Sequence, residues 1–371
     1  MTPLWVDLEL DWRGGQSQAL LALRGLRARG HPAELVALRE SPLARRAGAE
    51  GIPVHVVGRR AARLQAALLL SRLLAGRRFE VLHANEAHAL TAAWLAGAHR
   101  RVQLVASRRV AYRLKKNPLA RARYHSARRI LAISEYVAGE LRASGIPGEQ
   151  VEVVHDGVEI PELPSPSQRR QARARWGVPD EGWLLGCVGH LLPTKGQHLL
   201  IRGLAALRAQ AGGTLPNCRL LLVGDGPRRK HLEELARELR VESVVHFTGF
   251  IDDLSEVYRA LDVFLFPSLL DGLGTALLAA MAHTLPVIAV ARGGVPEIVE
   301  HEQNGLLVTA AEDTLFPEAI AVATSQLLED ETLRKRLGSA ARATIEKRFT
   351  AELMAANTLR AYERMLSPGN K

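Results

Sequence analysis

The sequence predicts an α/β protein made of two doubly wound, Rossmann-like halves. Three observations predict it. Short apolar runs alternate with longer helical stretches along the whole chain, as in βα units and parallel sheets. A proline-rich segment, Pro161-Glu162-Leu163-Pro164-Ser165-Pro166-Ser167, separates two such series. Finally, 371 residues suit two domains at roughly 150 residues each.

In the first series, residues 4–8 read as a strand, Trp12-Arg13-Gly14-Gly15 as a turn, and 16–29 as a helix closed by Gly30. Residues 34–38, 54–57, 81–83, 103–106, 130–133 and 151–154 continue the series of candidate strands, with helices between most of them. Three prolines in six residues cannot continue a helix or a central strand, so the first domain is expected over 1–165. The second domain, 166–348, has candidate strands at 183–189, 219–223, 244–247, 263–266 and 286–290. Residues 333–366 read as helical with an interruption near Phe349-Thr350, and 349–371 are expected to cross back to the first domain. Two such halves imply a cleft between them, where doubly wound sheets bind ligands.

Composition narrows the function. Hydrophobic residues at 47% and charged residues at 24% exclude a disordered chain. Cys187 and Cys218 cannot form a disulfide framework or a zinc cluster, and a reducing cytoplasm fits them. No apolar run reaches the roughly 18 residues of a membrane span. Met1-Thr2-Pro3-Leu4 lacks the basic-then-apolar order of a signal peptide.

The net charge of +10 is uneven: residues 1–165 hold 25 Lys and Arg against 15 Asp and Glu, whereas 166–371 hold 24 against 24. A basic half points to nucleic acid, an anionic membrane or a phosphorylated substrate. Nucleic acid is disfavoured, because zinc-finger spacing and an aromatic ribonucleoprotein signature are missing and aromatics are only 5%. Arg59, Arg60 and Arg63 lead into the apolar stretch 64–74, with Arg72, Arg77 and Arg78 nearby and more basic residues over 108–129. That pattern suits reversible docking on anionic lipid, or equally an ordinary core helix with a solvated, Arg-rich outer face.

Three glycine-containing segments stand at strand ends. Gly14-Gly15 lets backbone amides approach an anion at a helix start, but no third glycine follows, so the dinucleotide fingerprint is absent and a nicotinamide dehydrogenase is disfavoured. Gly189-His190-Leu191-Leu192-Pro193-Thr194-Lys195-Gly196 places a lysine at the start of a helix, well set against a diphosphate and without the P-loop arrangement. Pro267-Ser268-Leu269-Leu270-Asp271-Gly272-Leu273-Gly274-Thr275 joins an acid and two glycines to a small-residue helix over 276–282. There amides can take a phosphate while the carboxylate takes sugar hydroxyls. Arg292-Gly293-Gly294 adds a glycine turn suited to close loop packing. His83, His88 and Glu86 suggest a metal site only weakly, since a third ligand at suitable spacing is missing and packed or solvated histidines suffice. Cys187, inside an apolar strand, reads as an inert buried thiol.

With these segments in order, the sequence resembles a family 4 glycosyltransferase of the GT-B fold over almost its whole length. The resemblance is carried by 188–196, Leu221-Leu222-Val223-Gly224-Asp225-Gly226-Pro227, Val245-His246-Phe247-Thr248-Gly249, 260–268 and 271–297, and in the first half by Gly14-Gly15, Arg29-Gly30-His31 and 153–158. It implies transfer of a sugar from a nucleotide diphosphate sugar to a glycan or lipid-linked acceptor, with retention of anomeric configuration and no metal. It also implies a donor-binding second domain and an acceptor-binding first domain. The acceptor would be of the polysaccharide or lipopolysaccharide type, met at the inner face of the cytoplasmic membrane.

Residue by residue, Gly14 and Gly15 resemble the glycines under the donor phosphates, and Lys195 the diphosphate lysine. Phe250 and Ile251 fall where the family lines the nucleotide base, and Gly272, Gly274, Thr275 and Ala276 where backbone amides approach the phosphates. Asp271 replaces the first glutamate of the family's E-x7-E motif, near the donor sugar. The second glutamate, which binds ribose, falls at Ala279. The arginine before the lysine falls at His190, and the first-half histidine near the sugar at Arg109. Asp271, Lys195 and Arg109 are therefore the expected catalytic residues. The departures motivate an alternative of another class, a nucleotide-sugar or glycan binding protein that has lost turnover.

Overall fold

A computed structural model describes residues 1–76, 78–114, 117–178, 181–213 and 217–367. Arg77, counted above among the basic residues, lies outside them, as do Lys115, Lys116 and the last four residues of 349–371. The chain divides into two compact units, Met1–Gly157 with Phe349–Lys371, and Val158–Arg348.

The first unit is a seven-stranded sheet of β1 (Pro3–Asp7), β2 (Glu34–Leu38), β3 (Val54–Val57), β4 (Val81–Ala84), β5 (Gln103–Arg108), β6 (Arg129–Ala132) and β7 (Val151–Val153). Its order is β3-β2-β1-β4-β5-β6-β7. Every pair is parallel; Trp5 of β1, for example, stands beside Leu35 of β2 and His83 of β4. Parallel strands covered on both faces read as unbroken apolar runs, and β1 and β2 are buried at every position. Trp5, Leu23, Leu26, Leu35 and Leu43 form the core, joined by Met354, Ala361, Tyr362 and Met365 from the last helix, Ala351–Leu366. That helix packs on the helix Gly14–Ala28 at Gly25, where a Cβ would stand 2.4 Å from the Ala355 Cβ. Its entry is fixed by Thr350, whose hydroxyl accepts the Leu353 amide.

The second unit carries β8 (Trp183–Val188), β9 (Cys218–Val223), β10 (Val245–Gly249), β11 (Val263–Phe266), β12 (Val287–Val290) and β13 (Leu306–Val308). These form a parallel sheet in the order β10-β9-β8-β11-β12-β13. β13 was not expected; its three residues are too short for a recognisable apolar run, and it exists by pairing along β12. The helix Pro166–Ala174 starts inside the proline-rich segment with a capping box between Ser165 and Gln168. It is tied down by Arg169 and Arg173, each 2.6 Å from a carboxylate oxygen of Asp262. Among the described residues, no helix is long and apolar enough to cross a membrane.

Candidate active site

In each sheet the strand order reverses beside the first strand, between β1 and β4 and between β8 and β11. Open α/β sheets bind ligands outside the carboxyl ends of the strands at such a switch point. In the second unit, the loops leaving β8 and β11 are the two segments singled out by sequence.

The loop after β8 ends in a 3₁₀ turn, Pro193–Lys195, and then Gly196 at φ +69°. A Cβ on Gly196 would fall 2.1 Å from the Pro267 carbonyl oxygen, so glycine is what lets this loop meet the end of β11. The Leu269 amide donates to the Thr194 carbonyl at 2.9 Å, and the Ser268 hydroxyl donates to the same oxygen at 3.4 Å. The result is an ion pair, with Lys195 Nζ 2.5 Å from Asp271 Oδ2 and side chains 29% and 15% exposed. On its other side Asp271 is held by the glycine turn after β12: Gly294 N–H donates to its carbonyl at 3.1 Å, and Gly293, at φ +60°, would place a Cβ 2.1 Å from that oxygen.

Three residues beyond Asp271, Gly274 starts the helix Thr275–Ala282 with no side-chain cap, leaving first-turn amides available. An ammonium, a carboxylate and an uncapped helix start therefore stand together. Such a site can hold a diphosphate while the carboxylate accepts hydroxyls. Gly272 is buried beside Asp271, and the Ala276 carbonyl accepts the Tyr258 hydroxyl at 3.3 Å. Phe250, 62% exposed, and half-buried Ile251 follow β10. His190 is exposed, and its carbonyl accepts from the Gln197 side chain. Ala279 is half-buried and offers no polar side chain; His283 Nδ1 donates to its carbonyl at 2.8 Å and the ring stacks on Tyr258. Burial holds His283 below its ordinary pKa.

The first unit holds Gly14, Gly15 and Arg109. Gly14 and Gly15 are the first two residues of the helix and not the turn before it; Arg13 is the uncapped N-cap. Glycine's poor interior propensity suggested a turn, but these two occupy the first turn, where amides have no intrahelical partner. The Asn85 side chain grips this start by donating to the Gly15 carbonyl at 3.2 Å and to Asp7 Oδ2 at 2.7 Å. Arg109 donates from Nη1 to Asn85 Oδ1 at 2.6 Å and from Nε to Asp156 Oδ1 at 3.1 Å. Sequence reasoning missed Asp7, Asn85 and Asp156; the one available signal was Asp156 within the quoted stretch 153–158.

His83 is a packed core residue. Its ring stacks on Trp5, Nδ1 lies 2.5 Å from the Tyr362 hydroxyl, and Nε2 lies 2.7 Å from Ser107 Oγ. It stands apart from a cluster of Glu9, Glu86 and His88, whose ligand-type atoms lie within 4.8 Å of one another. Glu86 is already engaged by the amides of Leu8, His88 and Ala89. Burial, with Asp7 next, pushes Glu86 up to about 8, and a protonated carboxyl is a poor cation ligand. Cys187 and Cys218 are buried free thiols, pushed up by burial to about 12 and about 11.

The profile of "Glycosyl transferases group 1" matches residues 168–344, and that of "Glycosyltransferase Family 4" matches residues 12–161. The chain belongs to the family 4 glycosyltransferases. It is 35% identical to a D-inositol 3-phosphate glycosyltransferase of Stackebrandtia nassauensis, over 58% of this chain and 48% of that protein. It is 30% identical to a GDP-mannose-dependent alpha-(1-6)-phosphatidylinositol monomannoside mannosyltransferase of Mycobacterium tuberculosis, over 60% of this chain and 58% of that protein. The matched region thus spans about half the length of these curated family members. Its fold is similar to that of Anabaena HepE, crystallised with UDP and glucose, at TM-score 0.84 and 24% identity over 98% of this chain and 99% of that one. A similar fold is seen in WaaG, a glycosyltransferase involved in lipopolysaccharide biosynthesis, at TM-score 0.68 and 18% identity over 99% of this chain and 100% of that one. The two parallel sheets are those of the GT-B fold.

Proposed function

We propose that this family 4 member is a retaining, metal-independent transferase that moves a sugar from a nucleotide diphosphate donor, held by the second unit, to a glycan or lipid-linked acceptor. The observation that carries this reading is the Lys195–Asp271 pair at the β8/β11 switch point, beside an uncapped helix start. On donor binding the diphosphate takes the carboxylate's place on Lys195, and sugar hydroxyls take the ammonium's place on Asp271. As the glycosidic bond breaks, charge grows on the diphosphate, where Lys195 and the Gly274–Thr275 amides oppose it. Asp271 positions the sugar. The acceptor hydroxyl attacks on the leaving-group face, and a phosphate oxygen takes its proton, so no separate base is needed. Phe250 and Ile251 line the base, with His190 near the phosphates. Gly14, Gly15 and Arg109 belong to the first unit's contribution.

The acceptor class rests on relatives named for inositol phosphate and phosphatidylinositol mannoside, and on the neighbour involved in lipopolysaccharide biosynthesis. We place the protein in the cytoplasm, docking reversibly on anionic membrane without binding nucleic acid. The helix Ala62–Ala75 supports this, for Leu64 and Leu68 are 59% and 64% exposed near Arg59, Arg60, Arg63 and Arg72. Flotation with phosphatidylglycerol vesicles checks it; binding that ignores anionic lipid and salt contradicts docking.

The deciding assay incubates the protein, with chelator present, with UDP-, GDP-, ADP- and CDP-sugars and a panel of glycan and lipid-linked acceptors, and reads the product anomer by NMR. Retained configuration without added metal is the expected result, and an inverted product or a metal requirement contradicts it. The half-buried alanine at position 279 favours a second reading, a donor-binding protein without turnover, which tight donor binding with no transfer across the panel would support.

A further inference from the structure

On the second unit, two helices begin side by side at the carboxyl ends of β8 and β9: Gln197–Gln210 and Arg229–Glu238. Neither has a side-chain N-cap or an acid in its first turn. The helix macrodipole favours negative charge at these starts, yet both carry bases. His198 and Arg202 lie one turn apart on the first helix, and Arg228 and His231 open the second. His198 and Arg228 are half-buried, while Arg202 and His231 are exposed.

His198 faces Arg228, Arg202 and His231, with Asp313 the acidic group acting on it. Asp313 is itself engaged by Arg292 at 3.1 Å. Among the described residues, none of the four basic side chains makes a hydrogen bond or an ion pair. Burial, then Arg228, Arg202 and His231, lowers the His198 pKa. Gathering two unpaired guanidinium groups beside two imidazoles at two positive helix ends is unfavourable, and an anion bound between them would relieve it.

We propose that His198, Arg202, Arg228 and His231 form a second anion site, distinct from the Lys195–Asp271 pair, for a small phosphate- or diphosphate-bearing molecule. The site is joined to the catalytic loop. Arg228 N–H donates to the Leu191 carbonyl at 3.1 Å, and Leu191 N–H donates to the Asp225 carbonyl at 2.9 Å. Gly226 passes so close to Leu191 that a Cβ would lie 2.6 Å from its carbonyl oxygen. An anion held by Arg228 thereby steadies the loop that presents Lys195. The ligand is a phosphorylated effector or released product, and its binding does not depend on sugar transfer.

Calorimetric titration with inorganic pyrophosphate near pH 6 tests the proposal, using full-length wild type, Lys195→Ala and Lys195→Ala combined with Arg202→Gln/Arg228→Gln, each matched for melting temperature without ligand. Saturable binding is expected in wild type and Lys195→Ala, and at least tenfold weaker binding when Arg202→Gln/Arg228→Gln is combined with Lys195→Ala. Absence of saturable binding to wild type, or equal binding by Lys195→Ala and the combined variant, overturns it. Loss in Lys195→Ala alone also overturns it, while supporting the donor reading. Vesicles of phosphatidylglycerol that engage Arg202 and Arg228 when pyrophosphate does not would overturn the small-molecule assignment.

Discussion

Lys195 and Asp271 are 76 residues apart in sequence, yet their charged atoms meet at 2.5 Å across the β8/β11 switch point. Because each is the other's partner, removing one changes what the other does. Lys195→Ala should weaken nucleoside diphosphate binding by about 1–3 kcal/mol. Asp271→Asn should cut turnover at least tenfold, about 1.4 kcal/mol of barrier, while leaving diphosphate binding equal or tighter because Lys195 loses its competitor. Unchanged transfer by Asp271→Asn, in an assay where wild type is active, contradicts the role given to Asp271.

The Gly293 turn offers a backbone test of the same residue. Gly293→Ala must accept a left-handed φ and a Cβ 2.1 Å from the Asp271 carbonyl oxygen, whereas Gly51→Ala meets nothing within 4 Å at φ +70°. Both should destabilise the fold by about 1–2 kcal/mol through φ alone, with Gly293→Ala costing more and also losing turnover. Urea unfolding and transfer rates side by side check this; equal effects of the two substitutions would refute the clamp.

Ala279 leaves the position of the ribose-binding glutamate without a carboxylate, and the site is half-buried with solvent beside it. Ala279→Glu should therefore tighten nucleotide-sugar binding, measured by thermal shift or calorimetry. Abolished binding would mean that the space is filled and that another group holds the ribose.

Two buried groups of the first unit give opposite pH trends. Burial, with Arg109 next, holds the His83 pKa well below 6.5, so the unfolded chain takes a proton there that the fold resists. Stability from His83 is present above about pH 6.5 and lost as pH falls. Glu86, raised to about 8, keeps its proton in the fold after the unfolded chain has released it. Its contribution is full below the ordinary carboxyl range and lost as pH rises through about 8. Urea unfolding across pH should show His83→Gln flattening the acid side and Glu86→Gln the alkaline side; unaltered slopes would count against both assignments.

Much of the fold was legible because parallel strands covered on both faces appear as largely apolar runs, as at 34–38, where only Glu34 is polar, and at 263–266, which match β2 and β11 residue for residue. β13 was not, since its three residues owe their conformation to β12. Lys195 and Asp271 could each be named from their local glycines, but their pairing depends on a crossover that no local pattern encodes. The same holds for Asp7, Asn85, Arg109 and Asp156, which come from four different strand ends and meet only in the folded sheet. The start of the helix Gly14–Ala28 was expected two residues late, at Gln16, because glycine signals a turn more strongly than a first helical turn.

The central claim is that the second unit takes a nucleotide diphosphate sugar through Lys195. Calorimetric titration of wild type and Lys195→Ala with UDP-, GDP-, ADP- and CDP-sugars tests it most directly. The account predicts saturable wild-type binding of at least one donor and about 5- to 150-fold weaker binding of that donor by Lys195→Ala, the equivalent of about 1–3 kcal/mol. Equal affinities for the two proteins, or no donor bound by wild type, would contradict it.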